Sequence, residues 1–428
     1  MNINIKKMKL TDKNLFIIIW ILYYIYGCMN SIVFEKGSAI TIVANAVLFI
    51  YLFFYTIRKS YLIAKFSFIY LYVFFLLIIL LLSSSDLLFS VRMWMRFSMP
   101  FLCLAIGYDL FSDEDSVNKI WILFKSLILL FLINYFICNV LGLGRQGYGG
   151  ERFGLSMGNM FYDSSYTNIC VLTFIPFALR VLDIKYKSFY VIFCVFSIAL
   201  TVAVLKRTSI ACICISILTY LFVWNILVKK YGRMQFARQK ISVKYIAIIL
   251  CLIMVFAYMF ADLFTFSLDA RANRFEKGSL EKEGRTRELV AITNDVLLSN
   301  DAKTFFIGKE TFNTVGTYAN GKFGDRNIHD LWGILINGSG IIGILSYAFV
   351  ICYILFLFFR YKKRVDYQNN VIAYFYTVIF IAYWLMFHMA SFGDITVIYP
   401  SMTFTIMGLI LRYFADGGNY VYVNANKE

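Results

Sequence analysis

The chain is 428 residues long, 61% hydrophobic, 19% aromatic and only 15% charged, with a formal net charge of +16. So few polar residues cannot cover so much apolar surface in water, which argues against a soluble domain and against a nucleic-acid footprint as the origin of the positive charge. The nine cysteines all fall inside apolar runs, so neither a disulfide framework nor a zinc site is expected.

In chain order, the basic N-terminus "MNINIKKMKLTDKN" enters an apolar run with no small-residue cleavage site and is read as leading into an uncleaved first helix. Apolar runs long enough to cross the hydrocarbon core then recur at 15–33, 39–57, 61–83, 88–108, 120–142, 164–182, 188–205, 208–228, 243–261, 330–359, 371–390 and 395–413. They lack the period-2 alternation of a closed barrel, so the expected fold is an all-α integral membrane bundle of about 12 transmembrane helices. The organisation is residues 1–261 with nine spans, a polar segment 262–328, and residues 329–428 with three spans and a tail. Basic loops at 228–244 and 360–366 match the basic N-terminus, and the positive-inside rule puts that side in the cytoplasm.

The 262–328 segment breaks the pattern of short loops. It carries ten Lys/Arg and ten Asp/Glu, and helix parity places it outside. Within it, "EGRTRELVAITNDVLLSN" has apolar residues at 289, 292, 296 and 297, which predicts an amphipathic helix lying across the bundle, starting near Gly284. A smaller outer loop, 142–165, is rich in glycine and contains "GLGRQG", but no strand or βαβ unit surrounds it, so flexible connection is preferred to nucleotide binding. "SDEDS", at 112–116, falls in a short cytoplasmic loop and reads as solvated charge; with no other acidic cluster, a metal-independent chemistry without cofactor is expected.

Several cations are not explained by sidedness. Lys206 and Arg207 sit at the outer boundary of the membrane, where an ionisable group is costly; snorkelling to headgroups is the structural alternative. Arg285 and Arg287 flank the start of the predicted loop helix, and Arg152 is a further outer cation. Arg92 and Arg96 share one helical face, placed either to line a cavity, as candidate substrate contacts, or to pair with Asp86. Outer arginines suit phosphate, and diphosphate above all, because the planar guanidinium binds it bidentately. His329, at the outer start of the tenth span, is the candidate general base. Trp332 is placed to stack on a sugar ring, Tyr162 is a further candidate substrate contact, and Asp330 reads first as a helix cap. His388 reads as structural, and the glycines at 333, 338, 340 and 343 as packing or a kink.

Across nearly the whole chain, these features resemble the bacterial O-antigen polymerase and ligase superfamily (Wzy and WaaL types). The similar pieces are "ERFGLSMGNMFYDSSYTN", "KRTSI", "GRTRELV", "FFIGKETF" and "IHDLWGILINGSGIIGIL", in that order. The resemblance implies a GT-C-like architecture with one large periplasmic loop in the inner membrane. It implies undecaprenyl-diphosphate-linked glycans as donor and acceptor, membrane lipid as surroundings, a chain-length regulator as a possible partner and no nucleic acid. It further implies that Arg207 and Arg285 hold the diphosphate, with Lys206, Arg287 and Arg152 as supporting cations, and that His329 is the base. Asp330 stands where many members have Asn. The "KRTS" form is closer to polymerases than to ligases. A ligase acting on lipid A core, or a lipid-linked oligosaccharide flippase, are the alternatives; the 67-residue 262–328 segment weighs against a flippase.

Overall fold

The computed structural model describes residues 11–33, 39–111, 284–313, 318–323, 328, 330–367, 370–389 and 397–418, with isolated helical positions between 123 and 133 and between 214 and 230. The spans expected at 164–182, 188–205 and 243–261, most of those at 120–142 and 208–228, the 142–165 loop and residues 262–283 lie outside that set.

Among the described residues every regular element is helical. Four come first: α1 (Asp12–Val33), α2 (Ala39–Arg58), α3 (Ser60–Lys65) and α4 (Ser67–Ser83). The long helix α5 (Leu87–Leu110) follows, then α6 (Gly284–Leu297) and α7 (Ala302–Ile307) from the polar segment, and a 3-10 turn at Tyr318–Gly321. The chain ends on α8 (Leu331–Lys362), α9 (Val371–Met389) and α10 (Ile398–Ala415). Two of these, α5 and α8, are long and apolar enough to cross a membrane.

Which side chains are left outside is as informative as the core. On α2, Val43, Val47, Ile50, Phe54 and Ile57 form a stripe at helical spacing that is about half exposed or more. A matching stripe on α4 runs through Phe68, Leu71, Phe74, Ile78 and Leu82. The opposite faces of the same helices are buried, so each helix is apolar all round, a pattern suited to hydrocarbon rather than water.

The tightest packing is between α5 and α10, which run parallel. A Cβ on Gly107 would lie 2.1 Å from the Thr405 carbonyl oxygen, and one on Gly408 2.1 Å from that of Leu104. Glycine at both positions lets the two backbones touch, as small residues do where membrane helices meet. The buried hydroxyl of Thr405 bonds to the Ser401 carbonyl of its own helix at 2.7 Å, so it needs no partner across the contact.

Two expected spans are corrected. The 61–83 run is interrupted at Phe66, whose φ of −109° and ψ of 28° separate α3 from α4. The 330–359 run is not one straight crossing. Gly340 has φ 54° and ψ −154°, a conformation open only to glycine, and breaks α8 into a short arm (331–339) and a long arm (341–362). The rings of Trp332 and Tyr347 are 5.5 Å apart, whereas fifteen residues of straight helix would separate their backbones by about 22 Å. The short arm therefore folds back beside the long one. The 22 residues of the long arm span roughly 33 Å, enough for the hydrocarbon core.

Candidate functional site

The polar segment is built onto this break. In a straight helix the carbonyls of Asn337 and Gly338 would accept hydrogen bonds from residues one turn on; the break frees them. The Asn337 carbonyl instead accepts from the amides of Lys309 (2.7 Å) and Glu310 (3.3 Å), and the Gly338 carbonyl from the Thr311 hydroxyl. Freed backbone groups inside a membrane protein have to be satisfied in this way. The approach is again glycine-dependent. Gly308, at φ 80°, sits so close that a Cβ would lie 2.5 Å from the Asn337 oxygen, and a Cβ on Gly340 would lie 2.6 Å from that of Phe305. "FFIGKETF" and "NGSG" are thus two halves of one clamp.

A second anchor reaches the turn between α4 and α5. The Glu310 carboxylate accepts from the Ser85 amide at 2.6 Å, from the Ser85 hydroxyl, and from the Asn313 side-chain amide at 2.8 Å. Ser83 and Thr311 hydroxyls lie 3.2 Å apart, and the Phe312 ring packs 5.4 Å from Phe97 of α5. Lys309 pairs with Asp295 at 2.6 Å, tying the clamp to the end of α6.

The amphipathic helix forms where the spacing predicts it, with a difference in its inner face. The fully buried residues are Glu288, Ile292 and Val296, at i, i+4 and i+8; Leu289 and Leu297 are half-buried. Sequence spacing missed Glu288, because a carboxylate at the edge of an apolar stripe reads as solvated. Its partner is the Tyr318 hydroxyl, which donates at 2.6 Å from thirty residues away. Ile292 reaches the first turn of the short arm, where a Cβ on Gly333 would lie 3.3 Å from Ile292 Cδ1. Arg285 is in the opening turn of α6, two turns before Ile292, and Arg287 is on its exposed side.

At the start of the short arm, Asp330 is buried and its carboxylate accepts from the Gly333 amide at 2.7 Å, the cap its position suggests. Ile328 and Asp330 are both buried; His329 between them lies outside the described residues, as do Arg207, Lys206, Arg152 and Tyr162. Trp332 is half-buried and turns an edge-to-face contact onto Tyr347, the hub of an aromatic cluster. Tyr72 and Phe97 flank that ring at 6.0 and 6.3 Å, and His388 Nδ1 lies 3.2 Å from its hydroxyl. His388 is buried against Trp384 and Phe387 as well, in line with a structural role.

Arg92 and Arg96 are half-buried on α5, and no ion pair to either exists among the described residues. Of the two placements the sequence allows, an ion pair with Asp86 is not formed: that carboxylate caps α5 by accepting from the Phe89 amide at 3.0 Å.

No protein-family model matches this chain, and no curated protein matches it either. The functional reading therefore rests on the residues and on how they pack.

At the opposite end of the bundle the chemistry differs. The hydroxyls of Tyr55 and Tyr61 both donate to the Asp109 carboxylate, and Lys59 lies 3.8 Å from it. The Lys65 ammonium sits 3.9 Å above the Tyr108 ring, with Arg412 at 5.3 Å from the same ring and Arg364 5.0 Å from Tyr361. These cation–π stacks hold a ring of positive charge where α2, α5, α8 and α10 end.

Proposed function

We propose that the chain polymerises undecaprenyl-diphosphate-linked oligosaccharide repeat units into O-antigen or a related surface polysaccharide, as a GT-C-like glycosyltransferase of about twelve spans in the bacterial inner membrane. The observation that carries this reading is the packing of α6 across the first turn of the short arm, Ile292 against Gly333. It brings "GRTRELV" to "IHDLWG", while "FFIGKETF" is clamped onto the glycines that follow. Three of the five pieces on which the family resemblance rests thus form one unit, at the end opposite the basic ring. That sidedness agrees with a periplasmic site and a cytoplasmic basic face.

In this mechanism His329 takes the proton of an acceptor-sugar hydroxyl. The hydroxyl oxygen attacks C1 of the growing glycan from the face opposite the diphosphate, the C1–O bond to the diphosphate breaks, and undecaprenyl diphosphate leaves with its electron pair. The configuration at C1 inverts. Arg207 and Arg285, with Lys206, Arg287 and Arg152 as supporting cations, stabilise the charge that develops on the leaving diphosphate, a role fixed cations perform well in a water-poor site.

The test is complementation of a polymerase-null strain. His329→Ala, Arg207→Ala and Arg285→Ala should each leave the protein inserted and lower polymer formation by 10²-fold or more, the scale of a lost general base. Normal chain lengths from all three would overturn the roles given to these residues, and no polymer from the wild type would overturn the reading. Purified protein given only lipid-linked repeat units should make polymer; a ligase would not.

A further inference from the structure

Arg92 and Arg96 are one turn apart on α5, about 6 Å in rise, and they begin roughly 8 Å inside its start at Leu87. That start is the end held by the polar segment, through Ser85 and Glu310. Both side chains lean toward it. The Arg92 guanidinium lies 4.9 Å from the centre of the Phe89 ring, and Arg96 Nη1 lies 4.0 Å from Met93 Sδ, each contact one turn back along the helix.

Neither residue can relieve its situation by losing a proton, since a guanidinium stays charged. Like charges at i and i+4 repel. The Nε–H of each is buried without a hydrogen-bond partner, and Asp86, which caps the helix, attracts Arg92 without forming an ion pair with either arginine. Among the described residues, the side-chain contacts of the pair are to Phe89 and Met93. Two permanent cations, partly desolvated, in direct ion pair with no carboxylate among the described residues, and with the repulsion of Arg96 on Arg92 outweighing the attraction of Asp86, are an arrangement that an anion stabilises.

We propose that Arg92 and Arg96 form a binding site for the phosphoryl groups of a membrane lipid, in the half of the bundle beside the polar segment. Two forks one turn apart suit a diphosphate better than a single phosphate, because each fork takes one phosphoryl group. The choice of a polyprenyl diphosphate as occupant rests on the function proposed above: joining two lipid-linked glycans requires two diphosphates to be held at once, and this pair would hold the second. Phosphate binding itself does not depend on that reading.

The experiment is native mass spectrometry of the full chain in detergent, titrated separately with undecaprenyl diphosphate, undecaprenyl phosphate, undecaprenol and phosphatidylglycerol. The wild type should bind two undecaprenyl diphosphates and favour diphosphate over monophosphate. R92Q/R96Q should weaken one of the two at least tenfold and leave undecaprenol binding unchanged. R92K/R96K should fall between them, and Arg58→Gln, at the far end, should match the wild type. Size-exclusion profiles show whether each variant is folded, and the lysine variant keeps the test usable if the glutamine one is not. Equal diphosphate binding by the wild type and R92Q/R96Q would overturn the site. Phosphatidylglycerol bound as tightly as the diphosphate, and lost in the same variant, would support the phosphate site with bulk lipid as its occupant. Loss of binding in R92Q/R96Q while the wild-type protein makes no polymer in a polymerase-null strain would keep the site and remove the polymerase reading.

Discussion

At the end of the bundle that carries residues 284–313, backbone meets backbone: amides of Lys309 and Glu310 bond to a carbonyl that the break at Gly340 has released. At the other end, cations of Lys65, Arg412 and Arg364 lie over tyrosine rings, and α5 and α10 touch through Gly107 and Gly408. The first end is held by polar contacts, each worth only about 1 kcal/mol net and each able to re-form elsewhere. The second is held by close packing, which cannot change without moving whole helices. The site proposed for lipid-linked chains lies at the first kind of end, on a frame supplied by the second.

The comparison breaks most visibly at Gly107. Gly107→Leu puts side-chain atoms where the Thr405 carbonyl already lies, so it should cost roughly 3 kcal/mol or more and abolish a monodisperse protein in detergent. A stable, active Gly107→Leu would show that the α5–α10 frame is not rigid. Gly340→Val is next. Its left-handed backbone conformation and the nearby Phe305 carbonyl make the strain about 1–3 kcal/mol, felt at the clamp. The helical frame should survive, while limited proteolysis between residues 298 and 330 rises sharply and polymer formation falls.

Smaller effects sharpen the same contrast. Thr311→Val removes the hydroxyl bond to the Gly338 carbonyl and should lower the thermal midpoint by the equivalent of about 1 kcal/mol. Lys309→Met removes the pair with Asp295, a partly exposed contact worth ~0–1 kcal/mol, and its effect should shrink as salt is raised. The smallest concerns Asp301, the cap of α7. Hydrogen bonds from the Thr304 hydroxyl and amide, and from the Lys303 amide, hold its carboxyl below the usual range. Its contribution is therefore complete above the unfolded carboxylate value and lost as pH falls through the lower folded one. Hydrogen exchange in 302–307 should accelerate over that acidic window, and in Asp301→Ala the step should be absent.

Much of the architecture was legible from periodicity. The helices at 12–33, 39–58, 87–110, 371–389 and 398–415 lie within a few residues of the runs that predict them, because an apolar stretch of that length has few alternatives to a helix in hydrocarbon. Helix α6 was legible from spacing and Asp330 from its place before an apolar run. Glu288, Tyr318, Glu310 and the carbonyl of Asn337 were not, since each acquires its role from a partner twenty-seven or more residues away.

By itself, then, the sequence determined that the described residues are helical, where most of their helices lie, and which end carries the positive charge, because length, hydropathy and charge act locally. Only the tertiary structure decided that α8 folds back at Gly340, that the polar segment is clamped to the carbonyls this releases, and that Arg92 and Arg96 form no ion pair among the described residues. Those facts depend on which distant atoms meet, and no local pattern encodes that.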